Sequence, residues 1–506
     1  MFKAAAIFSS HMVLQRQNPI AVWGSSSHDA VAVSFNGITV KDTVSNGTWR
    51  IQLPPMEAGG PYEMQLTSGG ETITFVNVML GEVWLAGGQS NMELELQNAK
   101  NGKNGEAVLA ALTPHVPVRY YYTQKQRYRD AQFESIEENT CWAEASPENS
   151  RAWSAVAFYC ARRLAQRLGV TVGIIGCNWG GTSAANWMSR QRLEACTELR
   201  PYLDDLDKAM EGKTLEQHIR EFDEYLAYSE EWNRKKDACY QEHPDYSWDK
   251  VQEVCGKCLF PGPMGPKNEY RPAGLYETML QRVCPYTLRG FLYYQGESDD
   301  HRPQLYYRLF TELIGQWRQD WEDDTLPFVF VQLPMFRYKQ DADHKHWCLI
   351  REAQMRAYQT VKHTGIAVIP DCGELDNIHP TDKEPVGERL AIQAMQVAYG
   401  IQDPDQDTPM FRDSYVTGDT MHIRLTGAPK GFLSVEHPTG FELAGADRIF
   451  HPAEAVLGEN QITLRAEGIS EPVYGRYAWT NYMEVQVFSK NGIPLAPFRT
   501  SPQDAL

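Results

Sequence analysis

The sequence has no long apolar run and no basic segment. It lacks any stretch of about 18 consecutive apolar residues, so it predicts no membrane span. Lys and Arg total 48 against 65 Asp and Glu, and the formal net charge is −17. Because such a chain repels polyanions, we expect no nucleic-acid partner. Ser9, Ser10 and His11 interrupt the first apolar patch, so the chain as given predicts no signal peptide and a cytoplasmic protein, or a periplasmic or secreted one if a signal was removed.

Cysteine is also sparse. The chain has 10 cysteines in 506 residues, and most stand singly in apolar segments, which does not indicate a disulfide framework. One cluster, Cys239, Cys255 and Cys258 with His243 nearby, contains enough ligands for zinc. A lone CxxC without a second matched pair is a weak zinc motif, so free thiols are the preferred interpretation. We therefore expect neither a metal nor a cofactor.

The composition is that of a globular protein, and the predicted secondary structure changes from one region of the chain to the next. Residues 1–80 contain short β-branched or aromatic runs between Gly, Asn and Pro, which predicts an N-terminal β-sandwich-like domain. From residue 81 to 402, near-continuous apolar runs alternate with helical patterns, which predicts an α/β catalytic domain with a doubly wound parallel sheet. A helical insertion is predicted at about 200–275, and residues 403–506 return to short strands as a C-terminal β region.

Small and hydrogen-bonding residues follow the predicted strands of the α/β part. The run EVWLAGG leads to Ser90, VGIIGCNWGG ends at Gly181, and FLYY is followed by Gln295. Ligands of parallel sheets bind at the carboxyl ends of the strands. Glycines there allow backbone N–H groups to approach a ligand closely, so the three loops together predict an oxyanion site.

A fourth strand, GIAVIPD, leads to Asp376 and His379, which are three residues apart. A carboxylate and an imidazole at this spacing can meet, so Asp376 is predicted to accept from Nδ1–H of His379 and to leave Nε2 free as a base. With Ser90 across the sheet edge, this supplies nucleophile, base and orienting acid. In isolation, Ser90 could instead be a helix N-cap, Asp-x-x-His a capped turn, and Gln295 a partner of buried backbone. Their coincidence at strand ends favours catalysis.

Four segments carry a specific resemblance: GEVWLAGGQSNME, WGGTSAANW, YYQGESD and DNIHPTDK resemble sequence blocks of the sialate O-acetylesterase family within the SGNH hydrolases. The flanking segments MVLQRQNPIAVWG, VYGRYAWTNY and NGIPLAPFRT are similar to that family too, so the resemblance covers nearly the whole chain. It implies an SGNH, flavodoxin-like core with β-rich N- and C-terminal regions. It also implies a metal-independent serine esterase that removes acetyl groups from sugar hydroxyls, typically those of sialic acid.

The same resemblance assigns roles to single residues. Ser90 would be the nucleophile, and Asp376 with His379 would complete a catalytic triad. The oxyanion donors would be the backbone N–H groups of Ser90 and Gly181 and the side-chain amide of Gln295, where SGNH enzymes generally carry Asn.

Two other functions fit these motifs. An acetyl esterase acting on xylan or another plant polysaccharide would keep the triad and change the sugar, and Trp179 and Tyr294 could stack on either kind of sugar. A non-catalytic carbohydrate-binding protein would recognise glycan through its β regions, but it has no need for an oriented base. The expected partner is therefore a glycan or small molecule that carries O-acetyl esters.

Overall fold

The computed structural model describes residues 2–99, 105–110, 112, 116–131, 133, 135–403 and 406–501. The fold is mixed α/β with several sheets, and it divides into two compact units. One unit comprises residues 1–123, 140–181 and 285–506, and the other comprises residues 124–139 and 182–284. Among the described residues, no helix has the length and apolar character needed to cross a membrane.

A parallel sheet organises the first unit. Its strands lie in the spatial order Val118–Tyr122, Val172–Asn178, Glu71–Gly88, Gly290–Tyr294, Phe328–Val331 and Thr364–Ala367. The last three and Val172–Asn178 are buried along their whole length, as the continuous apolar runs predict. The chain adds strands first on one side of Glu71–Gly88 and then, from Gly290, on the other. This reversal of strand order is the position where ligands bind in open α/β sheets.

Helices of the first unit flank these strands. Ala155–Leu168 begins where the Ser154 side chain accepts a hydrogen bond from the Ala157 N–H, and it ends at Gly169 in the left-handed conformation (φ +67°). It packs against the helix Glu384–Tyr399. The helices of this unit are Ser90–Glu93, Leu96–Asn98, Gly105–Ala110, Ala155–Leu168, Glu297–Asp299, Pro303–Asp320, His346–Thr360, Pro370–Cys372 and Glu384–Tyr399.

Part of the N-terminal region is continuous with the central sheet, whereas Phe2–Ala4, Ile20–Ser26 and Thr48–Leu53 form a separate three-stranded sheet. Gly59–Ser68 pairs antiparallel with the first part of Glu71–Gly88, and the second part of that strand pairs in parallel within the central sheet. The boundary predicted at residue 80 therefore falls inside one strand. The other strands here are Phe2–Ala4, Val13–Gln15, Ile20–Ser26, Ala30–Phe35, Ile38–Thr43 and Thr48–Leu53, with Ala143–Glu144 later in the chain.

The C-terminal residues form two four-stranded sheets. Ile423 and Ile462 of one sheet and Leu443 and Tyr477 of the other belong to one buried hydrophobic cluster. The strands are Met410–Thr417, Thr420–Thr426, Phe441–Ala444, His451–Pro452, Glu454–Gly458, Gln461–Arg465, Tyr474–Tyr477 and Phe498–Arg499.

The described residues of the second unit contain helices and no strand. Its longest helix, Leu215–Glu242, begins with a capping box between Thr214 and Gln217. The cysteines at 239, 255 and 258 are free thiols, and no group of three or more His, Cys, Asp or Glu in the described chain could hold a metal ion. The helices are Ile136–Asn139, Ala184–Trp187, Arg190–Ala195, Thr197–Leu199, Arg200–Met210, Leu215–Glu242, Trp248–Cys255, Tyr276–Leu280 and Gln281–Val283.

Candidate active site

Ser90 lies directly after the central strand. The strand ends at Gly88 with φ +133°, where a β-carbon would come within 2.1 Å of the Tyr294 carbonyl oxygen, so only glycine fits. The Gln89 N–H donates to the same carbonyl at 3.1 Å. Ser90 then opens the short helix Ser90–Glu93, whose N-cap position is Gln89. The alternative role of Ser90 as the helix N-cap is thus excluded.

His379 is the hydrogen-bond partner of Ser90. Its Nε2 lies 2.8 Å from the Ser90 hydroxyl oxygen, although 289 positions separate the two residues in the sequence. Partial burial of the ring and the positive charge of Lys383 lower the pKa of His379 below its ordinary value of 6.5, against a smaller opposing effect of Glu93. A neutral imidazole at this distance can accept the serine proton.

Asp376 lies close to His379 in the sequence but does not bond to its ring. Its Oδ1 accepts from the Lys339 N–H at 2.6 Å, and its Oδ2 lies 3.2 Å from Lys339 Nζ. These bonds hold the pKa of Asp376 below its ordinary value. Asp376 adopts φ +65°, and between these two described residues no hydrogen bond joins its carboxylate to the imidazole. The structure therefore brings Ser90 and His379 together and ties Asp376 to a neighbouring loop.

The loop of the WGGT segment lies beside the serine. A β-carbon built on Gly180 would be 3.4 Å from the Ser90 β-carbon, and the Gly180 N–H donates to the Glu93 carboxylate. Gly181 has φ +75°. Within the described chain, neither the Gly181 N–H nor the Ser90 N–H has an acceptor. Of the two glycines in this loop, Gly181 is therefore the one with a free donor.

Gln295 is buried, and its amide already has protein partners. Its Nε2 donates to Asp299 Oδ2 at 2.7 Å, and its Oε1 accepts from the Tyr306 hydroxyl at 3.0 Å. Gln89, directly before the serine, is also buried. Its side-chain oxygen accepts from the Ser298 N–H at 3.2 Å, so it links the loop that carries Ser90 to the loop that follows the strand Gly290–Tyr294.

Asn91 joins three loops of the site. Its Nδ2 donates to Glu297 Oε1 at 2.6 Å and to the Ile378 carbonyl oxygen at 2.9 Å, directly before His379. Its Oδ1 accepts from Lys383 Nζ at 2.6 Å. We call Asn91, Glu297 and Lys383 the buried polar network, because each is at most 5% exposed. Sequence reasoning did not identify Glu297 or Lys383, although both are charged residues inside the quoted motifs.

Burial perturbs both charges of this network. It lowers the pKa of Lys383 from 10.5 to about 8 and raises the pKa of Glu297. Lys383 Nζ also lies 5.4 Å from the centroid of the Tyr294 ring. Because Tyr294 is fully buried beneath this lysine, it has no surface for a sugar ring, which corrects its predicted substrate contact. Trp179, the other predicted aromatic contact, is 9% exposed.

Comparison with known proteins agrees with the motifs. The model of the carbohydrate esterase family described as sialic acid-specific acetylesterase matches residues 266–396, which include Gln295 and His379. The sialate O-acetylesterases of Mus musculus and Homo sapiens are each 25% identical, over 98% of this chain and 94% and 92% of those proteins. The crystal structure of a carbohydrate acetylesterase from Xanthomonas citri is 28% identical, covers 99% of both chains and has a TM-score of 0.77. The resemblance to the sialate O-acetylesterase family is thereby confirmed, and the protein is a carboxylic ester hydrolase.

Proposed function

We propose that the protein is a serine esterase that removes O-acetyl groups from sialic acids, built on an SGNH, flavodoxin-like core between β-rich terminal regions. The observation that carries this proposal is the 2.8 Å contact between the Ser90 hydroxyl and His379 Nε2. A serine hydroxyl bonded to a neutral imidazole is the activated nucleophile of acyl transfer. The relatives named sialate O-acetylesterase support sialic acid as the sugar.

In the proposed reaction, Ser90 Oγ attacks the acetyl carbonyl carbon while His379 Nε2 takes the hydroxyl proton. The tetrahedral oxyanion accepts from the N–H groups of Ser90 and Gly181. The imidazolium then gives its proton to the sugar oxygen as the ester C–O bond breaks, which leaves an acetyl-enzyme. Water, deprotonated by His379, attacks this acetyl group. As the bond between the acyl carbon and Ser90 Oγ breaks, the imidazolium returns the proton to Oγ and acetate leaves.

Two residues of the predicted site act as positioning residues in this proposal. Gln295 holds the loop after the strand Gly290–Tyr294 through its hydrogen bonds to Asp299 and Tyr306. Asp376 holds the histidine loop through Lys339.

Asp376→Asn tests the second of these roles. We expect kcat for acetate release to fall by less than about tenfold, because an asparagine side-chain oxygen can still accept from the Lys339 N–H, whereas neutralising an acid bonded directly to a catalytic histidine costs about 10⁴-fold. In Asp376→Ala, which removes the acceptor, kcat for acetate release should fall further. A loss of about 10⁴-fold in Asp376→Asn would instead support a direct Asp376–His379 pair.

The decline of kcat/KM at acid pH tests the role of His379 as the base. Because burial and the charge of Lys383 lower the pKa of His379 below its ordinary value, we expect the acid midpoint of kcat/KM to lie below pH 6.5. The measurement is kcat/KM for 4-nitrophenyl acetate across the acid range. An acid midpoint at or above 6.5 would contradict this assignment.

A second candidate sugar is xylan or another plant polysaccharide. It is compatible with the Xanthomonas citri protein, which is 28% identical and is described as a carbohydrate acetylesterase without a specified sugar. Acetate release from 9-O-acetyl-N-acetylneuraminic acid and from acetylated xylan, measured side by side, separates the two. We expect the larger kcat/KM with the sialic acid ester, and a preference for xylan would move the proposal to the second sugar. If neither released acetate while glycan binding persisted, the carbohydrate-binding alternative would replace the esterase.

A further inference from the structure

A groove of about 850 Å³ lies in the first unit, away from the residues proposed for catalysis. It is lined by the helices Pro303–Asp320 and His346–Thr360 and by C-terminal residues around Phe411 and Phe498. None of Ser90, Gly181 and His379 borders it. We call this feature the arginine groove, because Arg351, Arg356, Arg412 and Arg499 line it.

The charge of the arginine groove is opposite to that of the chain. Its lining contains four arginines and one carboxylate, Glu352, whereas the whole chain carries a net charge of −17. The carboxylate is already used, since Glu352 binds Arg499 through two hydrogen bonds of 2.7 Å. Arg412 pairs with Asp413 at 3.0 Å. The positive potential that remains comes mainly from Arg351 and Arg356 and favours an anionic ligand.

Arg351 is a buried cation that makes no hydrogen bond to a carboxylate among the described residues, although the charge of Asp343 acts on it at longer range. It is 2% exposed, and its hydrogen bonds to oxygen go to the neutral carbonyls of Pro334 and Thr480. Its Nε has no partner among the described residues. A guanidinium stays protonated in proteins, and a buried donor without an acceptor is unfavourable. A ligand that brings negative charge to this groove would be stabilised by attraction to this cation.

Arg356 supplies an accessible guanidinium at the same place. It lies 3.8 Å from the centroid of the Tyr307 ring and has no ion-pair partner in the described part of the chain. Arg499 lies over Trp479 in the same manner, at 4.4 Å. Stacking restricts the orientation of the guanidinium plane, which lowers the entropy lost when its N–H groups bind a carboxylate in a bidentate pair.

We propose that the arginine groove binds a carboxylate-bearing sugar, a uronic or sialic acid residue, at a site separate from the esterase centre. The volume suits a short oligosaccharide rather than a bare ion. Apolar side chains such as Leu349, Phe411 and Pro497 also line the groove and can cover a sugar ring. The choice of a sugar rests on the proposed function, whereas the choice of a carboxylate rests on the arginines alone.

Isothermal titration of the full chain with glucuronate, N-acetylneuraminate, glucose and inorganic phosphate tests this site. We expect both acidic sugars to bind and glucose to bind at least about tenfold more weakly, with affinity that falls as salt is added. Arg356→Gln should weaken glucuronate binding by about tenfold or more, because it removes charged hydrogen bonds. It should leave hydrolysis of 4-nitrophenyl acetate unchanged.

Arg448→Gln is the matched control, since Arg448 is an exposed arginine that lies over another ring, Tyr474, outside the groove. Equal binding of glucose, or unchanged glucuronate binding in Arg356→Gln, would overturn the proposal. Phosphate binding as tight as that of glucuronate would overturn its sugar part and leave a bare anion site. None of these titrants carries an O-acetyl ester, so the binding assay does not depend on ester hydrolysis. Failure of binding would leave the proposed esterase untouched, and loss of esterase activity would leave the proposed groove untouched.

Discussion

Ser90→Ala is expected to lower kcat for acetate release by on the order of 10⁴-fold or more while leaving the fold intact. The substitution removes the oxygen that attacks the acetyl carbon, and no later step of the proposed reaction can replace it. The cost to the fold is small, because the Ser90 hydroxyl makes one side-chain hydrogen bond in the described structure, to His379. Steady-state acetate release and the unfolding midpoint, measured on the same preparation, check both parts.

Ser434→Ala is the control for the serine prediction. Ser434 is exposed in the C-terminal β region, so its substitution should change neither kcat nor stability. If Ser90→Ala kept kcat within about tenfold of the unsubstituted enzyme, Ser90 would not be the nucleophile. A loss of activity that arises because Ser90→Ala no longer folds would show as loss of a cooperative unfolding transition. Ser90→Cys then provides the test, because it keeps a nucleophilic atom at the same position; we expect it to retain the fold and to show slow acetyl transfer.

Lys383→Met is expected to have the largest effect on stability, a loss of about 3 kcal/mol in the free energy of unfolding. Methionine fills similar volume but leaves the Asn91 side-chain oxygen without its donor inside the protein. It also removes the cation that faces the buried Glu297. Chemical denaturation near neutral pH measures the loss, and Lys362→Met, at an exposed position, should show none.

The same variant should alter two pH dependences that a purely steric defect would not change. Lys383 lowers the pKa of His379, so without this charge the acid midpoint of kcat/KM should move to higher pH. The groups that act on the imidazole with it are Ser90, as hydrogen-bond partner, and Glu93, whose charge opposes that of the lysine. An acid midpoint that stayed in place would show that Lys383 supports the site by packing alone.

The second pH dependence is that of the free energy of unfolding. The folded pKa of Lys383 is about 8 against an ordinary 10.5, so between these values the unfolded chain binds the additional proton. The free energy of unfolding should therefore gain a positive slope with pH in that window. Lys383→Met should lack this contribution, and comparing denaturation curves of the two proteins across the window isolates it.

Local patterns predicted much of the fold. Continuous apolar runs such as FLYY and GIAV become strands buried on both faces, because a parallel sheet covered by helices requires apolar side chains on both sides. The mixed α/β class with several sheets follows from that alternation. The boundary at residue 80 was less predictable, because Glu71–Gly88 pairs with a hairpin partner in its first part and with the central sheet in its second. A sequence pattern shows that a strand exists, whereas its partners depend on the rest of the chain.

The site divides in the same way. Ser90 and His379 were identified by residue type near strand ends, and Gly181 by the resemblance of its loop to the family; those positions are determined by local sequence. Whether side chains there meet is decided by loop conformation and register: Ser90 reaches His379 across 289 positions, while Asp376, three residues from His379, turns to Lys339 at φ +65°. The amide of Gln295 and the charges of Glu297 and Lys383 depend still more on tertiary structure. A buried polar group must find a partner, and which partner it finds is a property of the packed loops rather than of any single segment.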